Sequence, residues 1–337
     1  MTLFRTKWMQ LLPAVTLLVL CGVLFATDDK AVGKDLIEEA RKISDIRADG
    51  APAFRMEGSF RITAKKAKKE IEGSYSEVWV SSSKWRREMQ TDSSHYASVA
   101  AGAKKWLVDS GTEPAYAMFD AWLTLTFPRV EGEAEITKVS ERQIDSVKVL
   151  CAQSKTQNSK SNDCVDPGTG VFLVRETVSQ FGATSTHRTC IYRNYEKFGD
   201  RLFPRVVRCS REAGESVELT IAKLISEPSA DEALFARPPD AIEIGNCPTV
   251  PTRPEAVYTP DPAYPRNHME NFNATVVLST IIGEDGSPRD SKIALSAGKD
   301  FDQAALDALR NWRFKPVKCD GSSIAVMINV EMTFRKF

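Results

Sequence analysis

Six of the seven cysteines follow residue 26, and the segment before them decides whether they pair. Residues 1–26 place Arg5 and Lys7 ahead of an apolar stretch that Thr27, Asp28, Asp29 and Lys30 close abruptly. That is the pattern of an export signal. Ala26 is small enough to precede a cleavage point, whereas Leu24 suits the preceding recognition position poorly. Residues 8–26 also approach the roughly 20 apolar residues that span a bilayer. A cleaved signal and a retained anchor therefore both stand, and Leu20 ahead of Cys21 disfavours lipidation. Either way the rest of the chain is expected outside the cytoplasm, where disulfides persist.

The spacing of the remaining cysteines suggests their pairs. Cys190 and Cys209 lie at equal distances from the turn Gly199-Asp200, within two β-rich runs, so they face each other across a hairpin. Cys151 and Cys164 flank the polar stretch 153–162 in the same way, which leaves Cys247 with Cys319. Buried free thiols and a zinc site are the alternatives. For zinc, no CxxC or CxH spacing exists, and His95, His187 and His268 are far apart in sequence.

Along the chain, Leu36, Ile37, Ala40, Ile43 and Ile46 mark one face of a helix over residues 35–47. Strand-like runs follow at 54–63, 71–81, 84–90, 103–109, 147–151, 170–178, 186–195, 203–209 and 216–225, while 116–127 is apolar and fits helix or strand. Short turns between successive strands predict an antiparallel open β-barrel over residues 35–240. Six prolines among residues 248–265 predict a stiff connector, assigned to 247–265.

Residues 266–337 read as strand, strand, helix, strand, making the whole an α+β chain. Residues 274–282 alternate, Gly283-Glu284-Asp285-Gly286 turns the chain, and 289–296 form the second strand. Asp300 with Gln303 suggests a capping box for a helix bearing Phe301, Ala305, Ala308, Leu309 and Trp312 on one stripe, with Pro316 beyond it. In the last run Ile324, Val326, Ile328, Val330, Met332 and Phe334 alternate with Ala325, Met327, Asn329, Glu331 and Thr333.

Tyr264-Pro265, the Asp285-Gly286 turn, Phe301-Asp302-Gln303-Ala304-Ala305, Asn311-Trp312-Arg313-Phe314-Lys315-Pro316 and the final alternating strand together resemble the TonB C-terminal domain family over residues 255–337. That resemblance implies a periplasmic module that takes an extended peptide of an outer-membrane transporter or receptor as an added strand. It puts the partner on Ser323, Ile324, Ala325, Val326, Met327, Ile328, Asn329 and Val330, and a role in TonB-dependent transport follows from it. Energy transducers of the family keep an N-terminal helix with a functional histidine, and none of the three histidines lies within residues 1–26.

Residues 54–240 more weakly resemble the LolA/LolB-like periplasmic carriers. The residues concerned are Phe54 to Phe60, Trp85-Arg86, Trp106 to Asp109, Cys164 to Asp166, Gly170 to Leu173 and Leu234 to Pro239. This implies, as the alternative reading, a lipid or lipoprotein carrier in which Trp79, Trp85, Trp106 and Trp122 line an apolar cavity and the C-terminal domain docks. Filling a core is the plainer role for such aromatics.

Forty-five basic against 45 acidic residues give no electrostatic case for nucleic acid. Of the two basic clusters, at 65–69 and 84–87, the first falls at the expected tip of a hairpin and has no aromatic among its lysines. No phosphate loop, HExxH or G-x-S-x-G motif appears, so a binding protein without cofactor is expected rather than an enzyme.

Overall fold

The computed structural model describes residues 29–48, 50–64, 69–111, 134–157, 159–181, 184–211, 214–247, 252, 254–266 and 274–335. The apolar segment 8–26, the run 116–127 with Trp122, the lysines at 65–68, His268 and part of the proline stretch lie outside the described residues. Among the described residues, no helix is long and apolar enough to cross a membrane.

Helix α1 (Asp29–Ser44) begins six residues before the sequence stripe and buries Gly33, Ile37, Ala40 and Ser44. Thirteen strands follow: β1 (Phe54–Ala64), β2 (Lys69–Ser81), β3 (Lys84–Gln90), β4 (Ser94–Ala101), β5 (Lys104–Gly111), β6 (Glu135–Ile144), β7 (Val147–Lys155), β8 (Ser159–Val165), β9 (Phe172–Phe181), β10 (Thr184–Phe198), β11 (Arg201–Arg211), β12 (Glu215–Ser226) and β13 (Ile242–Gly245). They form one antiparallel sheet in the order β13-β5-β4-β3-β2-β1-β12-β11-β10-β9-β8-β7-β6. Among the described strands the sheet is open, with β13 and β6 at its two ends. Long-range closure comes from β12 returning to β1, where Phe54 pairs with Ser226.

Local hairpins follow the sequence spacing. In β10 and β11, Phe198 pairs with Arg201 beside the turn and Cys190 pairs with Cys209 in the same register. In β7 and β8, Lys155 pairs with Lys160 and Cys151 with Cys164. Both pairs are disulfides with Cα atoms 4.0 Å apart, and Cys247 bonds Cys319. Replacing Cys190 and Cys209 together by serine frees a hairpin closed over 19 residues. The expected loss of unfolding free energy is about 3 kcal/mol, read as a lower urea midpoint.

The C-terminal module contains β14 (Glu255–Tyr258), β15 (Ala274–Ile282), β16 (Pro288–Leu295), α2 (Lys299–Leu309), β17 (Arg313–Lys315), β18 (Val317–Cys319), β19 (Ser322–Ile324) and β20 (Val326–Phe334). Its main sheet has the order β16-β15-β20, which matches the expected strand, strand, helix, strand. The turn into β16 needs Gly286, at φ +81°, because a Cβ there would sit 1.9 Å from the Phe314 carbonyl oxygen. The capping-box expectation is corrected. The helix starts at Lys299, so Asp300 is already in its first turn, and the N-cap Gly298 has no side chain to offer. Asp302 acts instead, accepting from Ala297 N at 3.0 Å and from Ser296 Oγ at 2.6 Å.

The stretch expected as a connector lies against the C-terminal module. β14 pairs with β17, Trp312 Nε1 donates to the Pro260 carbonyl at 3.1 Å, and Tyr264 meets Phe301 edge-on. Proline lacks an amide donor but keeps its carbonyl, so such a segment can still be held by donors from the module.

Candidate peptide-receiving edge and the buried charge network

β20 owes its position to strict alternation. Val330, Met332 and Phe334, with Val326 and Ile328, pack under Phe301, Ala305 and Leu309 of α2. On the other face, Ala325 and Met327 join Ile281 and Ile244 in the core of the first domain. One strand thus serves two cores. The contact is reinforced by Gly245 N donating to the Ala325 carbonyl at 2.9 Å, by Lys292 Nζ at 3.1 Å from Asp109 Oδ2, and by the Cys247–Cys319 bond.

Along its length β20 pairs with β15, from Val326 opposite Ile282 to Phe334 opposite Ala274. Among the described strands, its other edge has no strand ladder. Of the eight residues assigned to the partner from sequence, Val326, Met327, Ile328, Asn329 and Val330 lie on this edge strand. Ser323 and Ile324 instead pair with Lys318 and Val317 in the β18–β19 hairpin, and Ala325 joins the two strands.

The first domain holds a second arrangement that sequence reading did not single out. Strand registers place Glu77 beside Arg87, and Arg87 beside Ser98. Glu77 is fully buried. It accepts from Arg47 Nε at 2.9 Å, Arg87 Nε at 2.8 Å and Tyr75 Oη at 2.9 Å, and also from Arg47 Nη2. The guanidiniums lie on aromatic faces, Arg47 on Phe54 and Arg87 on Trp85. Burial pushes the Glu77 carboxyl up, but the two arginines outweigh it and hold it at about 2. The available signal was positional: Glu77 occupies an inward register between Tyr75 and Trp79.

Trp79 and Trp85 are neighbours in the main core, and Trp79 stacks on Phe54 at 5.7 Å. Trp106 belongs to a separate cluster with Phe235 and Ala241. The structure therefore does not bring these three tryptophans to one space. Tyr75, Arg87, Met89, Tyr96 and Ser98 line a cavity of about 10 Å³, room for a single water.

Asp163 is a further buried acid, 2% exposed, with Arg175 Nε 3.4 Å from its Oδ1. Burial raises its carboxyl to about 6 although Arg175 pulls it down. The unfolded chain therefore binds fewer protons than the fold between pH 4 and 6, so this group makes stability fall as pH rises across that window. The expected fall is about 3 kcal/mol, and Asp163→Asn should abolish it in urea titrations at pH 4 and 6.5. Among the described residues, no group of three or more potential metal ligands is present.

Fold and site together define a strand-rich α+β protein in whose C-terminal module β20 stands at the end of the described three-stranded sheet. Residues 260–335 match the family described as Gram-negative bacterial TonB protein C-terminal, in agreement with the sequence resemblance. No curated protein matches the chain. Similar solved structures include a LolA superfamily protein from Nitrosomonas europaea, 12% identical with a TM-score of 0.44, covering 61% of this chain and 97% of that one. Another is a putative outer membrane lipoprotein-sorting protein domain from Vibrio parahaemolyticus, 12% identical with a TM-score of 0.45 and the same coverages, 61% and 97%. A third is a DUF1329 family protein from Desulfovibrio piger, 14% identical with a TM-score of 0.40, covering 62% and 98%.

Proposed function

We propose that this is an exported, periplasmic TonB-family binding protein whose β20 edge captures an extended peptide segment of an outer-membrane transporter or receptor, contributing to TonB-dependent transport. The observation that carries this reading is that, among the described strands, β20 pairs with β15 alone. An open edge offers backbone donors and acceptors at a fixed spacing, and an extended peptide satisfies them without needing a pocket. The role is binding rather than catalysis. The lipid-carrier alternative has no comparable support among the described residues, because Trp79, Trp85 and Trp106 are packed into two separate clusters.

The test is direct titration of the oxidised, exported chain with labelled synthetic peptides copied from the N-terminal periplasmic segments of the source bacterium's outer-membrane transporters. Saturable binding of at least one is expected. Failure of the whole set to bind overturns the reading.

A further inference from the structure

The three disulfides secure different things. Cys151–Cys164 and Cys190–Cys209 each join directly opposed residues of neighbouring strands. Backbone ladders continue past both, from Leu150 opposite Val165 to Lys155 opposite Lys160, and from Arg188 opposite Arg211 to Phe198 opposite Arg201. Once folded, these hairpins keep their register with or without the sulfur bond. All four cysteines are sealed, Cys151 and Cys164 fully and Cys190 and Cys209 at 7% and 3% exposure. A thiolate has to reach one sulfur to displace the other, and such burial obstructs it.

Cys247–Cys319 differs on both counts. It closes a span of 72 residues and joins the chain just past β13, an end strand of the large sheet, to β18 of the C-terminal module. No ladder among the described strands runs between β13 and β18. Cys247 is half-buried, while Cys319 is buried. The rest of this seam is noncovalent: Gly245 N donating to the Ala325 carbonyl, Arg289 Nη2 to the Glu243 carbonyl at 3.5 Å, and Ile244 against Ile281 and Ala325. The Lys292–Asp109 pair is partly in solvent, at 50% and 26% exposure, where an ion pair contributes little. The disulfide therefore raises the effective concentration of the module at β13 above what the intervening chain supplies.

We propose that Cys247–Cys319 is a redox-operated latch between the two domains, opened by a dithiol reductant while both hairpin disulfides stay closed. One thiolate of the reductant attacks the half-buried Cys247 sulfur, the S–S bond breaks, and the Cys319 sulfur leaves with the bonding pair and takes a proton. The second thiolate of the reductant then displaces the Cys247 sulfur, which also takes a proton. The reductant ends as a disulfide, and two electrons have passed to Cys247 and Cys319. The module then leaves and rejoins β13 reversibly, held there by noncovalent contacts alone. This device is independent of peptide capture and controls how rigidly the C-terminal module is presented.

Dithiothreitol acting on the folded, oxidised full chain at about pH 8 is the probe. Timed quenching with iodoacetamide and peptide mapping should show Cys247 and Cys319 labelled at least about tenfold faster than Cys151, Cys164, Cys190 and Cys209. Equal rates, or hairpin cysteines labelled first, overturn the proposal. Amide exchange reads the opening itself. After selective reduction, and equally in the double variant Cys247→Ser with Cys319→Ser, the Gly245 amide should exchange at least about tenfold faster than in the oxidised chain, because its acceptor lies across the seam. Amides of the β1–β12 ladder should keep their rates. An unchanged Gly245 rate overturns the latch, and so does equal acceleration of the β1–β12 ladder, which would mark a general loosening of the fold.

Discussion

Replacing Glu77 with alanine is expected to lower the stability of the first domain by about 3–5 kcal/mol, a large share of the roughly 5–15 kcal/mol that holds a domain together. The carboxylate is the common acceptor for Arg47 and Arg87, whose side chains are only 11% and 12% exposed. Removing it leaves two guanidiniums in a low-dielectric interior with their shared counter-charge gone. Tyr75 loses an acceptor as well. Glu77→Gln keeps part of the hydrogen bonding and should fall between wild type and alanine.

The pH dependence has a definite sign. The carboxyl is held at about 2 in the fold, below its unfolded value near 4.3. Its contribution is therefore fully present above pH 4.5 and is lost as pH falls toward 2, by about 3 kcal/mol in all. Urea unfolding at pH 7 and pH 3 checks both statements. The difference between wild type and Glu77→Ala, from which the opposite contribution of Asp163 cancels, should shrink by a little over half of that amount, about 2 kcal/mol, between pH 7 and pH 3. A change below about 1 kcal/mol at pH 7 for the alanine variant would contradict the account of the network.

Proline scanning of β20 should divide residues by parity. At Asn329 or Thr333, an even number of residues from Ala325, whose carbonyl meets Gly245 N rather than β15, the amide points away from β15 and proline leaves that ladder intact. Capture of a transporter peptide should weaken at least about tenfold while the melting curve hardly moves. At Val326 or Ile328 the lost amide belongs to the ladder with β15, so the module should be destabilised by about 3 kcal/mol. Equal effects at even and odd positions would contradict the register. Binding titrations paired with thermal melts on the same four variants separate the two outcomes.

What could be read from the sequence depended on how local each interaction is. The hairpins of Cys151 with Cys164 and Cys190 with Cys209 were legible because their turns sit midway between bonded residues. The two faces of β20 were legible because each is set by its own side chains. The pairing of Phe54 with Ser226, and of β13 with β5, leaves no such local mark, since those partners are brought together only by the whole sheet. The buried role of Glu77 was hidden for a related reason: its partners Arg47 and Arg87 are 30 and 10 residues away. At α2 a plausible capping pair was displaced by Asp302, because the helix began two residues earlier than the motif required. The receiving edge was placed by family resemblance, while its parity needed the observed bond from Gly245 to Ala325.

The most direct measurement of peptide capture is residue-resolved amide exchange on the oxidised chain with and without a saturating transporter peptide. The account predicts that Asn329 and Thr333 slow by about tenfold or more on binding, while Ile328, Val330 and Met332 stay as they were. Protection confined to the thirteen-stranded sheet, with the β20 amides unchanged, would contradict it.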